Sequence, residues 1–183
     1  KATEGAVILS AKGVHELNKS VINSAGVIEA KSISDLTGQI VIDGDQVTES
    51  GKLDVSSSKS AGEVIITGDD IKVLSGANII ATGETGGGNI LIGGSWQNSN
   101  PEIRQAISTL IEDGVDIDAS ALTDGDGGTI VAWSDITNTA SETSVHGSLI
   151  ARGGVNSGDG GKIETSGYSI KFNGINVDTK SFF

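Results

Sequence analysis

One short pattern recurs six times along the chain: a glycine followed by an apolar residue at the second position and, in all but the last repeat, at the fourth. The glycines are Gly5, Gly38, Gly62, Gly88, Gly128 and Gly161. Apolar residues at every second position are typical of a β-strand. The repeats start 33, 24, 26, 40 and 33 residues apart, so the strand is constant while the connections vary. This is the pattern of a repeat protein whose units stack on their neighbours.

A second strand pattern follows another set of glycines, with paired residues two positions apart. The pairs are Ile28 with Ala30, Leu53 with Val55, Ile79 with Ala81, Ile117 with Ala119, Leu149 with Ala151, and Val177 with Thr179. The best-formed repeat, 62–87, has room for a third strand and divides into EVIIT, DIKVL and ANIIAT. Three short strands per repeat predict one coil of a β-solenoid, whose equivalent strands stack about 4.8 Å apart as parallel sheets. We therefore predict an all-β, right-handed parallel β-helix of about six or seven coils.

Composition agrees with a thin core. The chain has 27 glycines, one proline and only 3% aromatic residues, whereas a globular α/β enzyme of this length usually needs more large side chains. Glycines without a period of three exclude collagen, and 36% hydrophobic residues placed in register argue against disorder. The absence of cysteine removes disulfides and thiolate metal sites.

The net charge of −12 excludes nucleic acid as a partner, because phosphate binding needs a positive surface. No stretch approaches the roughly 20 apolar residues of a membrane span, so we expect no membrane insertion. The first residues lack the features of a signal peptide. We expect residues 1–183 to be a single β-helical segment of a larger protein, with insertions at 95–112 and 135–145.

The outward positions of the first strand form an apolar column that needs a cover. Its members are Ile8, Val41, Ile65, Leu91 and Val131. An exposed ribbon of this kind is an interaction surface or an aggregation hazard. We expect the 95–112 insertion to pack on it, with a short helix capped by Asn100 and Pro101 at its first position. Residues 103, 106, 107 and 110 have helical spacing, although 109–111 is equally compatible with a strand.

Four side chains are candidates for a binding site. Trp96 and Trp133 follow the first strands of adjacent repeats and are candidate carbohydrate platforms, although sealing the sheet face is the more frequent role. Asp124 and Asp126, in the acidic run 124–127, supply hard oxygen atoms suited to calcium. The alternative, which we favour, is that these aspartates form corners of the coil. No cofactor beyond structural calcium is expected.

Other polar residues favour structural roles. Glu29, Asp54, Asp118 and Asp178 occupy outward positions of the second strand pattern, which favours a solvated acidic face over a cation-binding stripe. His15 and His146 have no serine or cysteine motif beside them. Arg104 and Arg152 are not next to an acidic cluster in the sequence.

The order of several segments carries a family resemblance. GGSWQ is followed by DIDASA, GDGGTIVAWSD, LIARGG and GDGGKIETSG. Over about residues 38–181 this order resembles the repeat region of filamentous haemagglutinin-like adhesins exported by two-partner secretion, which include the high-molecular-weight adhesins. We assign no counterpart here to that family's N-terminal export module.

The resemblance implies a structural shaft of a secreted or surface-exposed bacterial adhesin. The implied partners are an outer-membrane transporter during export and a receptor or glycan on a host or neighbouring cell, bound by the full-length protein. The alternative is a carbohydrate-binding or polysaccharide-cleaving β-helix. Cleavage needs carboxylates clustered on one sheet face, and the fifth strand positions offer a single acid, Asp43, so we predict that the chain is not an enzyme.

Overall fold

The computed structural model describes residues 2–3, 5–12, 19–31 and 37–182, and these form a parallel β-helix. His15 lies outside the described residues. Sheet 1 contains β2 (Ala6–Ser10), β5 (Gln39–Asp43), β8 (Glu63–Thr67), β11 (Asn89–Ile92), β14 (Thr129–Trp133) and β17 (Lys162–Ser166). Sheet 2 contains β3 (Val21–Ser24), β6 (Gln46–Glu49), β9 (Asp70–Val73), β12 (Ser108–Ile111), β15 (Glu142–Val145) and β18 (Ser169–Phe172). Sheet 3 contains β1 (Ala2–Thr3), β4 (Val27–Lys31), β7 (Lys52–Asp54), β10 (Asn78–Ile80), β13 (Asp116–Asp118), β16 (Ser148–Ile150) and β19 (Asn176–Asp178).

Six complete coils each contribute one strand to each sheet, and β1 adds a seventh strand to sheet 3 beside β4; this arrangement confirms the predicted fold class. The three strands expected in the repeat from Gly62 are β8, β9 and β10. All strand pairs between coils are parallel, and the register aligns equivalent positions: Val64 pairs with Ile40 and Ile90, and Ile79 pairs with Leu53 and Ile117. The repeat read from the sequence is therefore the stacking repeat of the molecule.

The interior consists of the columns that the sequence pattern assigned to it. Ile40, Val64, Ile90 and Ile130 of sheet 1 are fully buried, and so are the paired residues of sheet 3 from Leu53 to Ala151. In the first and last coils the same columns are open: Val7 and Ile163 are half-buried, and Val177 is 52% exposed. Burial therefore depends on having a coil on both sides.

The opening glycines are required by how closely successive coils approach each other. A Cβ on Gly62 would lie 2.0 Å from the carbonyl oxygen of Gly38, and one on Gly88 would lie 2.1 Å from that of Gly62. These carbonyls accept hydrogen bonds from the next coil, at 3.0 Å from Glu63 N to Gly38 O and 3.0 Å from Asn89 N to Gly62 O. Neither glycine has a positive φ, so contact rather than backbone conformation selects glycine.

The expected helix in the 95–112 insertion is wrong. The only helical turn described there is a 3-10 turn at Trp96–Asn98, in which Gln97 and Asn98 have φ of 49° and 51°. Such left-handed residues interrupt a right-handed helix. Asn100 accepts a hydrogen bond from Glu102 N at 3.0 Å, which closes a turn. The following residues extend into β12, so the strand alternative for residues 109–111 is correct.

The second insertion, 135–145, is a turn followed by β15. Asp135 Oδ1 accepts hydrogen bonds from Thr137 N at 2.9 Å and from Thr137 Oγ1 at 2.7 Å. This short-range pattern is an Asx turn, which bends the chain between sheets 1 and 2. Ile136 remains 48% exposed.

Candidate functional site

The first insertion covers part of the apolar column on the outer face of sheet 1. Leu91 is 8% exposed and Val131 is fully buried, whereas Ile8 in the first coil is 64% exposed. Leu91, Val131 and Trp133 form a second hydrophobic cluster outside the helix, against which Trp96 and Ile103 of the insertion pack. The predicted packing of the insertion on a sheet face is therefore present.

Trp133 lies inside this cluster. It is 3% exposed, and its Nε1 donates a hydrogen bond to Gln105 Oε1 at 2.9 Å. A Cβ on Gly94 would lie 2.4 Å from the indole ring, so the absence of a side chain at that position makes room for it. The ring offers no open face to a ligand and instead seals the sheet beneath the insertion.

Trp96 is only half-buried and borders open space. The ammonium of Lys162 lies 5.7 Å from the centre of its ring, which is within cation–π range. The neighbouring Gln97 N donates a hydrogen bond to Glu164 Oε2 at 2.7 Å. The 3-10 turn is thus attached to the last coil, and of the two candidate tryptophans Trp96 is the accessible one.

Arg104 attaches the other end of the insertion to an acidic corner. Its guanidinium donates to Gly44 O at 2.7 Å and to Asp45 Oδ1 at 3.2 Å, and it lies 3.6 Å from Asp69 Oδ1 and 3.9 Å from Asp43 Oδ1. The sequence reasoning that placed Arg104 away from acidic clusters was wrong. Asp45 is 59 residues away in the chain, so only the stacking of coils brings the two together.

Asp45 is also bonded to the coil before it. Its Oδ2 accepts hydrogen bonds from Ser20 N at 2.8 Å and from Ser20 Oγ at 2.9 Å. The backbone N–H and hydroxyl of Ser20, together with the Arg104 guanidinium, hold the pKa of Asp45 below its usual value. Asp45 therefore stays charged at neutral pH and joins three segments of chain.

A groove runs between the insertion and the outer face of sheet 1. It consists of two depressions of about 620 and 340 Å³, both bordered by Glu63, Asn100 and Ile103. The larger depression extends over β5 and β8 to Arg104, and the smaller one extends over β11 and β14 to Trp96 and Lys162. This volume lies in the range of small-molecule sites.

The groove has one polar and one apolar margin. The first strand positions present hydrogen-bonding side chains, namely Gln39, Glu63, Asn89, Thr129 and Lys162. The third positions present Val41, Ile65 and Leu91. Gln39 Nε2 donates to Glu63 Oε2 at 3.0 Å across neighbouring coils. The first and third positions of each strand face outward on the same side of the sheet, so stacking of the coils turns them into two parallel columns, one polar and one apolar.

Asp124 and Asp126 occupy a corner that stacks on the next coil. Asp124 Oδ1 accepts a hydrogen bond from Ser157 Oγ at 2.9 Å, and Asp126 Oδ1 accepts one from Asp159 N at 2.8 Å. Within the described ranges, no group of three or more His, Cys, Asp or Glu side chains is arranged to hold a metal ion. Calcium at this corner remains a prediction.

Two of the acidic residues at outward positions of sheet 3, Asp54 and Asp178, are paired with cations rather than simply solvated. Asp54 is 2% exposed and its Oδ2 lies 2.9 Å from Lys52 Nζ and 3.0 Å from Lys31 Nζ. Burial raises the pKa of Asp54, but hydrogen bonds from Ser56 and the two ammonium groups outweigh burial and hold the pKa far below its usual value. Asp178 is similarly paired with Arg152, at 2.7 Å from Nη2.

His146 has a serine partner that the sequence reasoning missed. Its Nε2 lies 3.0 Å from Ser144 Oγ, and its Nδ1 lies 3.0 Å from the carbonyl oxygen of Asn173. Period-two alternation on β15 was a signal for this pair, because residues two apart share a face. Ser144 is 8% exposed and does not border the adjacent depression that His146 lines. The pair therefore fixes the imidazole against the neighbouring coil.

Comparison with solved structures gives an informative match. No protein-family model matches the chain, and no curated protein matches it. The crystal structure of the HMW1 secretion domain from Haemophilus influenzae is similar, with a TM-score of 0.73 and 28% sequence identity. The similarity covers 97% of this chain and 47% of that one, so the chain spans about half of the structure that it matches.

This match agrees in part with the resemblance read from the sequence. It also weighs against our expectation that the chain lacks a counterpart to an export module, because the similar structure is itself a secretion domain. Among the described residues, no helix has the length and apolar character needed to cross a membrane.

Proposed function

We propose that this chain is part of the secretion domain of a large adhesin exported by two-partner secretion. The observation that supports this most strongly is the similarity to the HMW1 secretion domain over 97% of the chain. The order of motifs from GGSWQ to GDGGKIETSG supports the same family independently. In this proposal an outer-membrane transporter recognises the chain during export, and the protein is then secreted or displayed at the bacterial surface.

After export, the chain serves as a non-catalytic segment of a β-helical shaft. Its strands pair only with strands of the adjacent coils, which makes a rod that transmits order along its length. The side chains with catalytic potential have structural partners: Arg104 bonds to Gly44 and Asp45, and His146 lies between Ser144 and Asn173. These contacts support a scaffold that holds binding surfaces of the full-length adhesin away from the cell.

Transporter-dependent export tests the proposal. The chain is directed to the periplasm of a Gram-negative host, with and without the two-partner transporter from its own organism, and quantified in the medium and on the cell surface. We expect export only with the transporter. A periplasmic β-helical protein of another family is the matched control and should stay in the periplasm in both strains. Equal release of the chain with and without the transporter would contradict the proposal.

A further inference from the structure

The groove between the insertion and sheet 1 has the features of a ligand site. Its floor belongs to rigid strands that are hydrogen-bonded on both sides, since β8 pairs with β5 and β11, and β11 pairs with β8 and β14. Its far wall is fixed at one end by Arg104 and at the other by the 3-10 turn that Glu164 holds. The groove is therefore formed before any ligand arrives, which limits the entropy that binding must lose.

The side chains repeat along the groove with the spacing of the coils. Strands of neighbouring coils lie about 4.8 Å apart, so Gln39, Glu63 and Asn89 form a ladder of hydrogen-bonding groups next to the apolar Val41, Ile65 and Leu91. A pyranose advances an oligosaccharide by a comparable distance. Each ring has apolar faces and hydroxyl groups at its rim, which matches an apolar column beside a polar one.

The charges of the groove select among oligosaccharides. Asp43, Glu63 and Glu102 contribute carboxylates. Two cations also border the groove, Arg104 and Lys162, but Arg104 lies among Asp43, Asp45 and Asp69, so carboxylates outnumber cations. The remaining negative charge repels sialylated, sulfated and uronate sugars. A peptide fits less well, since no strand in the floor has a free edge to which an extended backbone could pair.

We infer that this groove binds a neutral oligosaccharide along the axis of the β-helix. The Trp96 indole provides an apolar wall at one end, and Asn89 and Asn100 provide amide groups for sugar hydroxyls. The inference goes beyond the proposed export function and is independent of it.

Direct binding measurements test the inference. The 183-residue chain is titrated with cello-, malto-, galacto- and chito-oligosaccharides and with sialylated and sulfated glycans. We expect saturable binding of at least one neutral series that strengthens with chain length, and no binding of the acidic glycans. Asn89→Trp should weaken that binding by about tenfold or more, because Asn89 is exposed in the groove and a larger side chain would fill it.

Asn23→Trp is the matched control, because Asn23 is also an exposed, outward asparagine but belongs to sheet 2. It should leave affinity unchanged, and circular dichroism should show that both variants are folded. Failure of every neutral oligosaccharide to bind would overturn the inference. Preference for acidic glycans, capture of extended peptides in their place, or equal affinity in both variants would also overturn it. None of these results would alter transporter-dependent export.

Discussion

At the scale of single residues, the opening glycines set the distance between coils. Gly62, Gly88, Gly128 and Gly161 each sit where the carbonyl of the previous opening glycine approaches, and that carbonyl accepts a hydrogen bond that joins the two coils. A methyl group at this point would have to displace backbone on both coils, because the strands above and below are fixed by their own ladders. Replacing one of these glycines by alanine should therefore lower the free energy of unfolding far more than the same replacement does at an open position.

We predict that Gly62→Ala destabilises the protein by about 3 kcal/mol or more, because its Cβ would meet the Gly38 carbonyl oxygen at 2.0 Å. Gly26→Ala is the matched control: nothing lies within 4 Å of its Cβ position and its φ is not positive. That variant should stay within about 0.5 kcal/mol of the parent protein. Urea unfolding monitored by circular dichroism measures both. Similar midpoints for the two variants would contradict the close-contact explanation.

Glu49 is the residue whose charge fits its surroundings least. It points into the core from β6 and is fully buried; its Oε1 accepts a hydrogen bond from Gly51 N at 2.6 Å, while its Oε2 has no hydrogen-bond partner among the residues that the structure describes. Burial raises its pKa, opposed in part by the Ser24 hydroxyl and the backbone N–H groups of Gly51 and Ser50. The ionised form is thus disfavoured in the folded protein.

A folded-state pKa above the unfolded value stabilises the protein at low pH, and this contribution is lost as pH rises through the folded pKa. Glu49→Gln removes the titration. We expect the variant to gain about 1 kcal/mol over the parent protein at neutral pH, and to lose that advantage near the ordinary glutamate pKa of about 4.3. Thermal unfolding of both proteins, from neutral pH to below about pH 4.3, measures the difference in stability. A constant difference at every pH would show that Glu49 is not the titrating group.

At the scale of elements, residues 95–105 are held to the β-helix by side-chain contacts, whereas from Ala106 onward backbone hydrogen bonds join the chain to neighbouring segments. Trp96 and Ile103 pack on the second cluster, and Arg104 bonds to the corner between β5 and β6. Elements with such contacts open at lower free energy than the coils beneath them. The sequence pattern indicated that an apolar segment would cover the sheet, but it did not indicate that Arg104 would attach this segment to an acidic corner.

We predict that Arg104→Ala increases proteolysis and amide exchange in residues 95–105 by about five- to tenfold, with little change in global unfolding. Arg152→Ala is the matched control, because Arg152 pairs with Asp178 on sheet 3 and does not contact the insertion. High salt should weaken the attachment of the parent insertion in the same direction. Unchanged exchange at residues 95–105 in Arg104→Ala would mean that the guanidinium does not help to hold this segment on the β-helix.

At the scale of the whole molecule, stability comes from contacts between neighbouring coils. Inward residues of the central coils are fully buried, while Leu9 in the first coil is 36% exposed and Phe172 in the last is 52% exposed. In a one-dimensional stack, a coil with one neighbour loses about half of its interface energy. Order should therefore decrease from the centre toward both ends of the described structure.

We predict that amide protection in the isolated 183-residue chain is highest in β8, β11 and β14 and lowest in β2 and β17. Hydrogen exchange followed by mass spectrometry measures this for each strand. All five strands belong to sheet 1, so the comparison holds the local sequence pattern constant. Uniform protection across the coils would indicate a single cooperative unit in place of nearest-neighbour stacking.

The sequence by itself determined the coil. A glycine followed by apolar residues at every second position predicts a strand, and the recurrence of this pattern predicts how the strands align between coils. Ile66 and Ile79 point inward because the side-chain period of a strand is two. These signals are local and recur in every repeat, so one irregular repeat does not hide them. They also indicated that the outward column of Leu91 and Val131 needs a cover.

Only the tertiary structure decided how the corners and the insertion meet. Arg104 and Asp45 are 59 residues apart, and Lys31 reaches Asp54 from another coil. Trp133 is covered by a segment whose apolar spacing predicted a helix that did not form. Such contacts depend on the path of loops whose lengths differ between repeats. The insertion became a turn and a strand rather than a helix because pairing of β12 with β9 and β15 satisfies its backbone, whereas a helix would leave a gap in sheet 2.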